Sequence, residues 1–257
     1  MNKKIARFVS GAARQLGYEI IPTWSIHSFG LTRLLAGIIA RNGISCVLDV
    51  GANTGQYAGY LRRIVGFDGR IVSFEPIDVN VAQLHTLSRH DPLWTICDCA
   101  LGRHNGTASL NVMKRTEFSS FLAPTYDHLR EFRTANVVER VETVSVRRLD
   151  DVLEELQIDP AQQPVYLKMD TQGFDLEVVA GAPAALRSVK ALQTEVSVVP
   201  LYENTPDMLE SIATLRAAGF APAGFFPVTT RKDLSAIEFD AVFINRTLAS
   251  SGVPGAP

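Results

Sequence analysis

A chain of 257 residues, 46% hydrophobic and 20% charged, holds material for one α/β domain with an N-terminal extension and is short for two domains. The formal net charge of -2 argues against a nucleic-acid partner held by broad electrostatics, and no apolar run approaches the roughly 18 residues of a membrane-spanning helix. The three cysteines, Cys46, Cys97 and Cys99, lie in or beside apolar strand-like runs without CxxC spacing, the pattern of reduced thiols in a cytoplasmic protein.

In chain order, Met1-Asn2-Lys3-Lys4 resembles the start of a signal peptide, but Arg7, Arg14 and Gln15 interrupt the apolar stretch that such a peptide needs. Ile5, Phe8, Val9, Ala12, Ala13 and Leu16 fall on one side of a helix over 5–16, with Gly17 placed to cap it. Two readings stay open for that helix. It packs on the main domain, or it touches a membrane surface, because Lys3, Lys4, Arg7, Arg14, Arg33 and Arg41 face only one acid, Glu19, before residue 42. A second helix is expected over 31–41, ending at Asn42-Gly43.

Strand-like runs follow at 47–50, 70–74, 94–101, 165–169, 192–198 and 241–244, with helical patterns at 56–65, 79–88, 174–181 and 208–218 between them. This alternation predicts an α/β fold with a mostly parallel twisted sheet. Runs at 107–114 and 142–146 read as extra strands, the first preceded by the turn Arg103-His104-Asn105-Gly106. Runs at 220–226 and 238–245 flank a polar loop and predict a terminal antiparallel strand pair. The tail, 248–257, has the Ser, Gly, Pro and Ala composition of disorder. The resulting division is an extension over 1–43, a domain over 44–247 and the tail.

The informative stretch is Val47-Leu48-Asp49-Val50-Gly51-Ala52-Asn53-Thr54-Gly55-Gln56-Tyr57. A buried strand runs into Gly51, which can turn sharply and approach a ligand, and a helix is expected from about Thr54, with Asn53 and Thr54 as good capping types. Asp-x-Gly-x-x-x-Gly is a nucleoside-binding turn and lacks the middle glycine of the dinucleotide pattern. Glu75 ends the next strand, where an acid can accept both ribose hydroxyls, and Asp98 stands near the end of the third, able to reach an adenine edge or simply to be solvated.

These segments, with Ser-Phe-Glu-Pro at 73–76, Cys-Ala-Leu-Gly at 99–102 and Leu-Lys-Met-Asp-Thr-Gln-Gly-Phe-Asp-Leu-Glu-Val-Val-Ala-Gly-Ala at 167–182, resemble the FkbM methyltransferases over about residues 44–246. The resemblance implies a Rossmann-like class I methyltransferase using S-adenosylmethionine. Asp49, Gly51, Asn53 and Gly55 would wrap the methionine end of the cofactor and Glu75 its ribose, with Asp98 at a position where the family often has Asn. It implies methylation of a hydroxyl on a sugar, glycolipid or related natural product. Two other classes stay open: an NAD-dependent oxidoreductase, and a catalytically silent binding protein.

Asp170 should emerge at the C-terminal edge of a buried strand, with Glu195 at the end of the next strand facing the same crevice. Gln172 stands where the family frequently has Glu. Asp170 and Glu195 could orient and deprotonate a hydroxyl, hold a metal, or form salt bridges to Lys168, Arg147 or Arg148. The first is preferred, and no metal is expected. His128 lies in an insertion over 119–138 that would hang over the crevice, where an imidazole could serve as base or lie on the surface. Ser119, Ser120 and Phe121 resemble a family stretch near the active site. Tyr126, Phe132 and Tyr202 could stack on a sugar or act as packing anchors.

Overall fold

A computed structural model describes residues 13, 15–18, 20–125 and 137–249. Most of the expected first helix, with Lys3, Lys4, Arg7 and Arg14, lies outside these residues, as do His128, Tyr126, Phe132 and the tail from 250.

The strands in chain order are β1 (Cys46–Val50), β2 (Arg70–Phe74), β3 (Trp94–Cys97), β4 (Ala100–Leu101), β5 (Gly106–Met113), β6 (Val138–Arg147), β7 (Val165–Met169), β8 (Ala191–Ser197), β9 (Phe220–Thr230) and β10 (Ala236–Asn245). The helices that matter are α1 (Ile26–Asn42), α2 (Gln56–Tyr60), α3 (Asp78–Ser88), α4 (Leu149–Glu155), α5 (Asp175–Ala180) and α6 (Met208–Ala217). A seven-stranded sheet runs β3-β2-β1-β7-β8-β10-β9. It is parallel from β3 to β8, and β10 is antiparallel to both β8 and β9. This is the expected Rossmann-like sheet with its terminal antiparallel pair.

β1 and β7 are buried at every position, which explains why they read as continuous apolar runs without alternation. On one face, Val47, Ile71, Tyr166, Ala191 and Val242 pack against Leu35 and Ile38 of α1 and Ala58 of α2. On the other, Leu48, Val50, Leu167, Met169 and Leu192 meet Leu149, Val152 and Leu153 of α4 and Val178 of α5. α1, which falls in the extension expected over 1–43, supplies one layer of this packing. Gly43 closes α1 in the left-handed conformation, as Asn42-Gly43 predicted. Among the described residues no helix is long and apolar enough to cross a membrane.

Three expectations need correction. The run 94–101 is broken: β3 ends at Cys97, a tight turn follows with Cys99 N–H donating to Cys97 O at 2.9 Å, and Ala100–Leu101 joins a different sheet. That sheet, β4-β6-β5, contains both extra strands and closes over Ile77 with Leu110, Val112, Val144 and Val146. The helix after β1 starts at Gln56 with Gly55 as its N-cap, so neither Asn53 nor Thr54 caps it. Finally, α4 had no place in the strand-and-helix pattern, although Leu149, Val152 and Leu153 have helical spacing and Asp150 and Asp151 stand in its first turn.

Candidate active site

A cavity of about 360 Å³ opens at the C-terminal edge of the parallel strands, where open α/β sheets bind ligands. Its size lies in the range of small-molecule sites, about 300–1,000 Å³. One end is lined by Glu75, Pro76, Ile77, Ala100 and Leu101, and the other by Tyr57, Lys168, Gln193 and Asp240. Those ends are carried by β2 and β10, four strand spacings of about 4.8 Å apart.

The strand registers build its floor. Ser73, Asp49, Lys168 and Gln193 are aligned across β2, β1, β7 and β8, and all four are buried. Two residues further along, on the same face, come Glu75, Gly51, Asp170 and Glu195, with Asp240 paired opposite Glu195. Lys168 Nζ lies 3.4 Å from both Asp49 Oδ1 and Asp170 Oδ2, above the Tyr57 ring at 5.2 Å. Burial alone would lower the pKa of Lys168, but Asp170 and Asp49 more than reverse this and hold it as an ammonium. Arg147 and Arg148 pair elsewhere, with Glu155 and with Asp150 and Asp151. Lys168 is thus the partner of Asp170 among the three basic residues considered.

At the first end, Glu75 accepts from Asn53 N–H at 2.8 Å, Ile77 N–H at 3.0 Å and Asn80 Nδ2 at 3.3 Å. Burial raises its pKa against the pull of those three donors. Asn53, at φ 47°, accepts from Thr116 Oγ1 at 3.2 Å, while its Nδ2 is a buried donor without a partner among the described residues. Both residues line the cavity. An orphaned amide donor beside an oriented carboxylate fits a polar, hydroxyl-bearing ligand such as the ribose and amino-acid parts of the implied cofactor.

The two glycines of the turn serve packing directly. At Gly51 (φ 75°) a Cβ would stand 1.9 Å from the backbone oxygen of Asp170, so glycine is what lets β1 and β7 converge under the cavity. At Gly55 a Cβ would meet Trp94 at 3.0 Å and Leu84 at 3.1 Å, which places it against the core and away from the cavity lining. Asp49 lies beneath the floor, fully buried, with Ser73 Oγ donating to it at 3.1 Å. Asp98 stands apart. The chain has left the sheet at Cys97, and Asp98 is exposed and 3.1 Å from His85 Nε2.

Gln172 ties the two expected carboxylates together. Its Nε2 donates to Asp170 Oδ1 and to Glu195 Oε2, each at 3.0 Å, and its Oε1 lies 2.8 Å from Tyr202 Oη. The residue that reads in the sequence as a lost carboxylate is the link between the remaining two, held at φ 53°. Behind it, buried Asp175 accepts from Thr171 N–H at 2.8 Å and Thr194 Oγ1 at 2.5 Å, pinning the loop after β7 to β8. Burial first, then Asp170, Glu238 and Asp240, push Glu195 well above the usual carboxylate range. Tyr202 is a buried anchor that does not present its ring to the cavity, while Ser119 and Phe121 line it and Ser120 Oγ donates to Gln172 O at 2.7 Å.

Asp240 and Gln193 are functional candidates that the linear pattern did not reveal. The available signal was Glu238-Phe239-Asp240, acids at alternating positions of a strand whose neighbours are apolar.

A family model described as Methyltransferase FkbM domain matches residues 49–222, well over half of the chain. No curated protein matches the sequence. Among solved structures, a putative O-methyltransferase from Klebsiella pneumoniae is similar at 11% identity, over 95% of this chain and 91% of that one, with a TM-score of 0.48. Magnesium protoporphyrin IX methyltransferase from Synechocystis PCC 6803 with bound SAM is similar at 9% identity, over 95% and 92%, with a TM-score of 0.45. A Burkholderia thailandensis 1,6-didemethyltoxoflavin-N1-methyltransferase is similar at 12% identity, over 93% and 86%, with a TM-score of 0.43.

Proposed function

This chain belongs to the FkbM methyltransferase family, and from its S-adenosylmethionine-dependent methyl transfer we propose that the acceptor is a hydroxyl group of a sugar, glycolipid or related natural product. The cofactor, when bound, supplies a sulfonium methyl that is already strongly electrophilic. The protein's remaining task is alignment and removal of one proton. Glu75 would hold the ribose and Asn53 Nδ2 a polar group of the amino-acid part, over the turn that Gly51 makes.

One observation carries the hydroxyl assignment: Asp170 faces the cavity at a strand end with its two oxygens fixed, one by Gln172 and one by Lys168. A carboxylate has about four acceptor sites, so each fixed oxygen can still accept a bond from an acceptor hydroxyl and aim its lone pair. Glu195, its pKa raised by burial, is linked to Asp170 through Gln172 and supports this orientation. His128 is assigned to acceptor contact from the insertion whose first residues, Ser119 and Phe121, already border the cavity. The test is transfer of radiolabelled methyl to methyl glycosides and, separately, to primary amines. Label recovered as methyl ether supports the assignment, and label on nitrogen alone contradicts it.

Glu75→Ala is expected to weaken S-adenosylmethionine binding by about 1–3 kcal/mol, the range for a charge-assisted hydrogen-bond pair. It should also lower the melting temperature, since Asn53, Ile77 and Asn80 lose their shared acceptor. Unchanged affinity by calorimetry would remove Glu75 from the cofactor site.

Turnover is expected to survive EDTA. The space between Asp170 and Glu195 is filled by the NH2 group of Gln172, a donor that cannot ligate a cation. Loss of activity restored by Mg²⁺ or Mn²⁺ would show that Gln172 swings aside for a metal.

A further inference from the structure

Asp240 belongs to none of the family-like segments, yet it lines the end of the cavity opposite Glu75. It stands on β10, directly across from Glu195 on β8. Among the described residues only one of its oxygens is hydrogen-bonded, Oδ1, which accepts from Gln193 Nε2 at 2.9 Å. The orientation of that amide is set from behind. Gln193 Oε1 accepts from Tyr57 Oη at 3.1 Å and from Tyr166 Oη at 3.3 Å, in a pocket where Gln193 is 3% exposed. Turning the amide over would set its oxygen against the Asp240 carboxylate, so the NH2 group faces Asp240 and the oxygen faces the two tyrosine hydroxyls. The arrangement holds one oxygen of a cavity-lining carboxylate and leaves the other without a hydrogen bond among the described residues.

We infer that Asp240 is the proton acceptor of the transfer site, receiving at Oδ2 the proton that the acceptor group loses, and that Gln193 is its positioning residue. This rests on the proposed methyl transfer and adds the residue that completes it. The acceptor hydroxyl gives its proton to Oδ2 while its oxygen forms the new C–O bond. The methyl C–S bond breaks with its electron pair left on sulfur. The sulfonium charge is thereby cancelled and the carboxylate becomes a neutral acid, so charge and protons balance.

The other carboxylates are less suited. Both Asp170 oxygens are held, by Gln172 and Lys168, and their remaining lone pairs are the ones that orient the hydroxyl. Burial raises Glu195 well above the usual carboxylate range, and its Oε2 is taken by Gln172. Burial pushes Asp240 up to about 6, opposed by the Gln193 bond and by Lys168 and reinforced by Asp170 and Asp175. A base is most effective when its pKa lies near the working pH, and burial moves Asp240 from the ordinary aspartate range toward neutrality. The groups facing Asp240 are Lys168 and Tyr166 from β7, Asp170 just after it, Glu195 from β8 and Tyr57 and Tyr60 from α2. Asp175 of α5 and Glu238 of β10 complete the set, and β9 places only Phe226 opposite.

The test compares the parent, Asp240→Asn and Gln193→Glu, with radiolabelled S-adenosylmethionine and the methyl glycoside and amine probes, from pH 5 to 9. In the parent, kcat/KM should rise with pH through a limb near 6, where the carboxylate loses its proton. Asp240→Asn should lower turnover at least about a hundredfold and abolish that limb, with the calorimetric Kd for S-adenosylmethionine within about threefold of the parent. Gln193→Glu should move the limb to higher pH, which a purely structural role would not do. Parent-like turnover and an unchanged limb in Asp240→Asn overturn the inference. Methylation of amines alone would sink the hydroxyl assignment while the same limb still judges Asp240. If neither probe is methylated, carbon NMR of carboxyl-labelled aspartate decides. The resonance missing from Asp240→Asn must titrate near 6 in the parent, and a midpoint near the ordinary aspartate value of about 4 overturns it.

Discussion

Gly51→Ala is expected to lower folding stability by about 3 kcal/mol or more and to abolish S-adenosylmethionine binding. Two costs combine. A non-glycine residue at φ 75° carries strain of about 1–3 kcal/mol. Its Cβ would also stand 1.9 Å from the carbonyl oxygen of Asp170, a backbone atom that cannot swing aside as a side chain does. β1 and β7 would have to part at their C-terminal ends, displacing the cavity floor and Asp170 together. For a protein of this size the melting temperature should fall by roughly 6–12 °C. Parent-like melting and calorimetry would show that the two strand ends tolerate separation.

Asp170→Asn is expected to reduce turnover at least about a hundredfold at saturating cofactor, with cofactor affinity nearly unchanged. The amide keeps the shape and one acceptor oxygen for Gln172, but it removes the charge facing Lys168 and weakens the bond that orients the acceptor hydroxyl. Loss of alignment of this kind costs about a hundredfold. His128→Ala should cost less, since the role proposed for it is acceptor contact and not receipt of the proton. Normal turnover in Asp170→Asn beside a dead His128→Ala would move the chemistry into the insertion.

The features the sequence reveals are those encoded locally. A buried strand running into Gly51, an acid closing the next strand at Glu75 and an acid emerging at Asp170 each need only a few consecutive residues, and each lines the cavity. The hairpin β9–β10 was legible for the same reason. What escaped depends on pairing between distant segments. Asp240 enters the site only because β10 pairs antiparallel with β8 and sets it opposite Glu195. Gln193 becomes its clamp only through Tyr57 and Tyr166. Asp98 looked like a strand-end acid because nothing local marks the turn by which Ala100 leaves for the second sheet. Gly51 was read as room for a ligand, while the neighbour requiring the missing Cβ is the carbonyl of a strand far along the chain. Gln172 looked like the loss of an acid, and its bridging role is visible only once Asp170 and Glu195 are brought together.

A crystal structure with S-adenosylhomocysteine tests the site most directly, because it fixes both ends at once. The ribose hydroxyls should lie within hydrogen-bond distance of Glu75 and the sulfur should face the side of the cavity bounded by Asp170 and Asp240. An adenosyl group seated beside Asp98 and His85, or a sulfur turned away from those two carboxylates, would contradict the assignment.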